Sequence, residues 1–146
     1  MALAETLMDG IVKTMNAVHR AVLRASGGRL GHRVAGMAAV ELHTTGRRSG
    51  QRRSVMLTAP VLEPDRVVLI ASKGGDRRHP DWYPNLVADP DVELTHRGET
   101  RPMRARVATG EERAELWARA VSAYRSYDSY QRRTDREIPV VVLEPR

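Results

Sequence analysis

Thr-Thr-Gly-Arg-Arg-Ser-Gly-Gln-Arg-Arg (residues 44–53) separates two runs of aliphatic and β-branched residues, 34–43 before it and 54–62 after it. Apolar chain, a glycine-punctuated polar stretch and apolar chain again predict two antiparallel strands joined at a basic tip. Gly46 and Gly50 let backbone approach a ligand closely, and Thr44, Thr45 and Ser49 add hydroxyls to the loop's N–H groups. Arg47, Arg48, Arg52 and Arg53 supply planar, permanently charged forks suited to phosphate or carboxylate. The spacing is neither that of a P-loop nor that of a dinucleotide-binding turn. By itself, such a decapeptide is more often a solvated hairpin tip.

Working outward, residues 67–72 form a run whose alternate positions are both apolar as far as Ser72, which predicts a central strand covered on both faces. Glu63-Pro64-Asp65 turns the chain ahead of it. Residues 80–88 predict a short helix with Trp82, Leu86 and Val87 inward, closed by Asp89-Pro90. Strands at 92–96 and 101–107 read as a hairpin through Arg97-Gly98-Glu99, and Pro102 suits an edge strand. A helix starts near 110 and runs to about 123, with Glu111 and Glu112 favourable to its N-terminal dipole, and 138–143 makes a last buried strand. Upstream, Leu7, Ile11, Met15, Val18, Val22 and Ala25 recur at helical spacing within 3–25, and Gly27-Gly28 ends that helix. This N-terminal amphipathic segment (1–28) either packs its stripe on the core or lies on an anionic membrane surface. The fold class expected is α+β, mostly β: a six-stranded antiparallel barrel with the N-terminal helix and helical cover.

Bulk composition narrows the function classes. A chain of 146 residues fits a single domain (1–146) that buries about 68–70% of its unfolded surface. It has no cysteine, lacks a signal peptide's continuous apolar core, and has no apolar stretch near the roughly 20 residues that cross a bilayer. A soluble, cytoplasmic protein is expected, peripheral to the inner face of the cell membrane if the N-terminal helix binds lipid. The net charge of +6 is almost all arginine, scattered among acids along the chain, and aromatic residues are only 4%, which disfavours a nucleic-acid partner. His43 and His79 lack ligand-spaced partners, so no metal site is expected.

Three further segments carry chemistry. Ala71-Ser72-Lys73-Gly74-Gly75 follows the central strand and can turn backbone N–H groups toward a flat polar ligand; Ser72 also reads as a cap of that turn and Lys73 as a solvated tip. His79-Pro-Asp-Trp82-Tyr-Pro-Asn85-Leu86 opens the short helix, where Trp82, like Trp117, also suits the core. Tyr124, Tyr127 and Tyr130, at i, i+3 and i+6, would share one side of a helix as an aromatic ridge, Tyr124 and Tyr130 reading equally as surface packing. With the basic tip, these segments resemble the deazaflavin-dependent nitroreductase family over residues 25 to the C-terminus: Thr-Thr-Gly-Arg-Arg-Ser-Gly (44–50), Ala-Ser-Lys-Gly-Gly (71–75), His-Pro-x-Trp-Tyr-x-Asn-Leu (79–86) and Tyr-x-x-Tyr-x-x-Tyr-Gln-x-x-Thr-Asp (124–135).

The resemblance implies a split β-barrel that binds coenzyme F420, a 5-deazaflavin with a phospholactyl-oligoglutamate tail. It assigns the phosphate and acidic tail to Thr45, Gly46, Arg47, Arg48 and Arg53, and the ring to Ala71, Ser72, Lys73 and Gly74, closed by Trp82 and Asn85, with Met56 also near the cofactor. Thr58, Tyr124, Tyr127 and Tyr130 would shape the substrate side, with Tyr127 or Ser72 as hydrogen-bond donor or proton source. Arg48 stands where relatives often have lysine, Met56 where they commonly have proline, and Thr58 where some nitroimidazole reducers have tyrosine. The implied activity is hydride transfer from reduced F420 to an electron-poor acceptor, with quinones favoured over nitroaromatics, by a monomer or homodimer. FMN in the same barrel, a cofactor carrier without turnover and a small RNA-binding domain are the rival readings.

Overall fold

The computed structural model describes residues 2–25, 33, 34 and 36–146. In chain order they form α1 (Ala2–Ala25), β1 (Arg33–Val34), β2 (Met37–Thr45), β3 (Arg52–Ala59), β4 (Val61–Glu63), β5 (Arg66–Ile70), α2 (Trp82–Ala88), β6 (Asp91–His96), β7 (Glu99–Val107), α3 (Gly110–Ala123), α4 (Ser126–Arg132) and β8 (Val140–Pro145). The expected helix stop at Gly27-Gly28 lies outside the described residues.

Among the described residues, eight strands make one antiparallel sheet in the order β1-β2-β6-β7-β8-β5-β4, with β3 on the other flank of β2. Six strands were expected, and two interruptions account for the difference. Gly36, at φ +78°, turns the chain so that Val34 pairs back on Met37. Pro60 offers no N–H and breaks the second run: β3 pairs with β2, whereas β4 leaves it and pairs with β5. One bent segment, 52–63, therefore pairs at both ends of the strand path and curls the sheet.

Strand β5 is interior to the sheet, between β8 and the terminal β4, and Val67, Val68, Leu69 and Ile70 are all buried. Val67, Leu69 and Ala71 join the core inside the curl with Val40, Leu42, Leu94, Met103 and the α2 residues Trp82 and Leu86. Val68 and Ile70 face a second core of Val140, Val142, Leu116, Ala120 and Tyr127 beneath α3 and α4. The strand ends at Ile70, short of the expected Ser72, because Ala71 N–H donates outside the ladder to Pro139 O (3.0 Å) and the chain then enters a 3₁₀ turn at Lys73–Gly75. Likewise β8 starts at Val140 instead of 138: Pro139 has no N–H, and Ile138 N–H goes to Gln131 Oε1 (2.9 Å).

The 97–98 turn has φ +50° at Arg97 and +81° at Gly98, the two positive values a tight two-residue hairpin needs. Strand β7 is not an edge, since it lies between β6 and β8; but β8 begins pairing at Met103, so Pro102 sits one residue beyond that ladder, opposite Glu93 of β6. In α2, Val87 points out (58% exposed) and Asn85 takes the inward position instead.

Candidate functional site

The basic tip is a closed turn. Gly46 N–H donates to Gln51 O (2.7 Å) and Gly50 N–H to Gly46 O (2.8 Å). A Cβ on Gly46 would lie 2.7 Å from Ser49 Oγ and 3.3 Å from the Gln51 carbonyl, so a side chain there would displace the Ser49 hydroxyl and crowd the turn. Ser49 Oγ accepts from Gln51 N–H (3.2 Å) and Arg53 (3.4 Å), which ties the turn to β3. Arg47 reaches α2: its backbone N–H (3.1 Å) and Nη1 (2.9 Å) both donate to Asn85 Oδ1, and Asn85 Nδ2 donates to Thr44 Oγ1 (3.3 Å). Asn85 is buried, so it works as a link between α2 and the hairpin. Arg52 pairs with Glu93 across to β6, whereas among the described residues no carboxylate pairs with Arg47, Arg48 or Arg53.

The 71–79 loop is shaped by positive backbone angles at Lys73 (+46°), Gly74 (+64°) and Gly75 (+83°). Gly75 N–H donates to Ser72 O (3.0 Å), so it is not offered to a ligand, and a Cβ at Gly75 would meet the Tyr130 carbonyl at 2.7 Å. The second glycine thus serves contact with α4, while Gly74 faces open space. Ser72 is buried, but its hydroxyl does not cap the turn. Asp76 lies below the usual carboxylate range because Arg78 hydrogen-bonds it, with Nε at 3.1 Å. Although His79 is exposed overall, partial desolvation of its ring, then the charge of Arg136, holds it below its ordinary value.

The tyrosines cluster, though not as one helical ridge. Helix α3 stops at Ala123, and Tyr124 is extended (φ −150°, ψ 100°) before α4 starts. Ring centroids are still 5.1 Å apart for Tyr124–Tyr127, 6.2 Å for Tyr124–Tyr130 and 6.3 Å for Tyr127–Tyr130. Tyr127 is buried; its hydroxyl meets Thr58 Oγ1 (3.4 Å) and Met37 Sδ (3.7 Å), and burial pushes its pKa up. Tyr124 and Tyr130 share a hydroxyl hydrogen bond of 3.2 Å, and that bond, with burial, pushes Tyr130 up to about 12.

Helix α1 docks with its polar side. Arg77 grips Glu5 through two bonds (2.9 and 3.0 Å), Lys73 Nζ lies 3.3 Å from Asp9, and Arg78 lies 3.4 Å from Asp9. Met56 N–H, on the flank of β3 turned away from β2, donates to Asn16 Oδ1 (2.7 Å). Leu7, Met8, Ile11, Val12, Met15 and Val18 remain 45–68% exposed. The reading in which this stripe packs on the core is therefore corrected: ion pairs face the body and the apolar stripe faces outward.

Of the sequence-predicted residues, the fold joins Arg47 to Asn85, Thr58 to Tyr127, and Met56 to Lys73 by way of α1. Thr45 and Gly46 sit at the hairpin, and Arg48 and Arg53 are exposed beside them. Ala71 and Trp82 put their side chains into the inner core. Sequence reading missed Arg136, which donates to three carbonyls of the 71–76 loop, and Gln131, which braces 136–138 from both ends of its amide. The available signal was the loop itself, because a strained turn exposes carbonyls that need donors.

Comparison with known proteins agrees with this geometry. The F420H(2)-dependent quinone reductase family matches residues 15–145. The F420H(2)-dependent quinone reductase Rv1261c of Mycobacterium tuberculosis is 41% identical over 134 residues, 88% of this chain and 89% of that protein. A solved F420-H2 dependent reductase (FDR-A) is 44% identical with TM-score 0.66, covering 73% of this chain and 93% of its own. A second structure, described as a domain-swapped dimer, is 40% identical with TM-score 0.69, covering 88% and 97%. With the basic tip, the 71–79 loop and the tyrosine cluster in one fold, the chain belongs to the F420H(2)-dependent quinone reductase family.

Proposed function

We propose that this chain uses reduced F420 to reduce a quinone, within a split barrel closed by the bent segment 52–63. The observation that carries the cofactor assignment is the tip: Arg47, Arg48 and Arg53 project charge that no described carboxylate neutralises, on a tight turn closed at Gly46 and Gly50. That donor set fits a phosphate followed by several carboxylates better than the compact monophosphate of FMN. Thr45 and Gly46 would hold the tail beside them, and Met56, Ala71, Ser72, Lys73 and Gly74 would border the ring, with α2 closing that side through Trp82 and Asn85. Bound reduced deazaflavin supplies a hydride from its C5 carbon.

A quinone that takes hydride gains negative charge on oxygen, and the chain's part is to present a donor there. Tyr127 is the proposed donor: its phenol is protonated at neutral pH, and its hydroxyl lies beside Thr58 Oγ1 and Met37 Sδ. Ser72, whose hydroxyl is not spent on the turn, is the second. Tyr124 and Tyr130 would wall the acceptor side.

For partners, the outward stripe of α1 suits a second copy of the chain, and one relative is described as a domain-swapped dimer. An anionic membrane surface is the other occupant to test; no described helix is long and apolar enough to cross a membrane. Light scattering on the purified protein, alongside vesicle sedimentation, separates the two.

The deciding experiment is a fluorescence titration with F420, with FMN run in parallel. Tighter binding of F420 by at least about tenfold, weakened by salt, supports the reading. Preference for FMN overturns the cofactor assignment.

A further inference from the structure

One side chain holds the 71–76 loop from outside. Arg136 donates from Nη2 to Ser72 O (2.7 Å), from Nε to Asp76 O (2.9 Å) and from Nη1 to Ala71 O (3.2 Å), and Nη1 also lies 3.2 Å from His79 Nδ1. The Asp76 carboxylate is turned to Arg78 instead, so Arg136 spends its fork on backbone shape. A guanidinium has donors only, so Nδ1 of His79 must be the acceptor, and the neutral ring then carries its proton on Nε2. The ring also leans on Tyr83, with centroids 4.7 Å apart. His79 is exposed, so this N–H is available at the rim of the loop.

We infer that Arg136 is a positioning residue that fixes the 71–76 loop and locks His79 in the Nε2–H tautomer, making His79 a neutral hydrogen-bond donor to a carbonyl or anionic oxygen of the bound cofactor. The second half rests on the reading that Ala71–Gly74 borders the deazaflavin. The groups facing His79 are the Arg136 guanidinium and the Tyr83 ring; the Asp76 carboxylate acts on it only through Arg136. Protonating Nδ1 would set a cation against Arg136 and break the Arg136–His79 contact, leaving the three carbonyl bonds in place. His79 is depressed below 6.5, so the Arg136–His79 contact is complete above that value and is lost as pH falls through the lower folded pKa.

Nitrogen NMR of ¹⁵N-histidine in the full chain, without ligand, reads the lock directly. The expected result is His79 with Nδ1 unprotonated in the native protein, and a mixture of tautomers in Arg136→Gln. Parallel F420 titrations test the purpose: Arg136→Gln weakens binding about tenfold, and Arg136→Lys does not restore it because one ammonium lacks the planar fork. His79→Asn keeps an acceptor near Nδ1 but loses the donor, so it binds F420 more weakly. His79→Gln, which places an amide N–H near Nε2, recovers affinity. A native His79 protonated on Nδ1, or a tautomer indifferent to Arg136→Gln, refutes the lock. Native-like F420 binding by His79→Asn at every pH refutes the donor role. Failure of the native protein to bind F420 would count against the cofactor assignment and the donor role together, while the NMR result still decides the lock.

Discussion

Replacing Asn85 with alanine tests whether the basic hairpin is held in place by α2. Asn85 is 5% exposed and makes three bonds: it accepts from Arg47 N–H and Arg47 Nη1, and it donates to Thr44 Oγ1. A net hydrogen bond contributes about 1 kcal/mol, and a buried polar group left without a partner costs about 1–3 kcal/mol. Arg47 is exposed, so water replaces much of what its side chain loses; Thr44, 3% exposed, cannot be reached so easily. The sum is about 3 kcal/mol, which for a domain of this size lowers Tm by roughly 6–12 °C. Thermal unfolding by circular dichroism reads that number. Asn85→Asp retains an acceptor for Arg47, and the Thr44 hydroxyl can rotate to donate to it, so its loss of stability should be less than half as large. If Asn85→Ala melts within 2 °C of the native protein, about 1 kcal/mol or less by the same conversion, the bridge is not structural and Asn85 is freed to be a direct ligand contact.

The two loop glycines should differ sharply. Gly74→Ala meets open space and costs only the strain of a positive φ, about 1 kcal/mol, whereas Gly75→Ala also drives a Cβ into the backbone of Tyr130 and should cost about 2–4 kcal/mol in a denaturant melt. Equal effects would show that α4 does not seat on Gly75. Helix α1 should release in acid. Against the upward push of desolvation, Lys73 and Arg78 hold Asp9 below 3.8, so its contribution is full above that pH and is lost as pH falls through the lowered value. Asp9→Asn should give the same release at neutral pH, read as faster amide exchange within 5–16; unchanged exchange would mean the ion pairs do not hold the helix.

Properties carried by local pattern were readable in the sequence. The double-apolar run at 67–70 announced a strand buried on both faces, Arg97-Gly98 announced a hairpin, and Gly46 announced a turn that brings arginines to one tip. Features that depend on distant partners were not. Pro102 looked like an edge residue because the register of β8, which starts opposite Met103, cannot be seen from residue 102. Arg136 looked like one arginine among many, because its acceptors are carbonyls about sixty residues upstream.

Helix α1 sharpens the point. A 3.6-residue pattern says that a helix has an apolar side, but not that this side meets the core of its own chain. Here the opposite side carries Glu5, Asp9 and Asn16, whose partners Lys73, Arg77, Arg78 and the Met56 N–H surround the proposed ring site. Half-buried to exposed surface pairs of this kind hold weakly, at up to about 1 kcal/mol each, so apart from the Asn16 hydrogen bond α1 is fastened by contacts that ligand or salt can displace. An apolar stripe left outside such a helix gains nothing from the fold of its own chain. Its burial must come from a second surface, and the same weak ion pairs that leave it unburied also let α1 move to reach one.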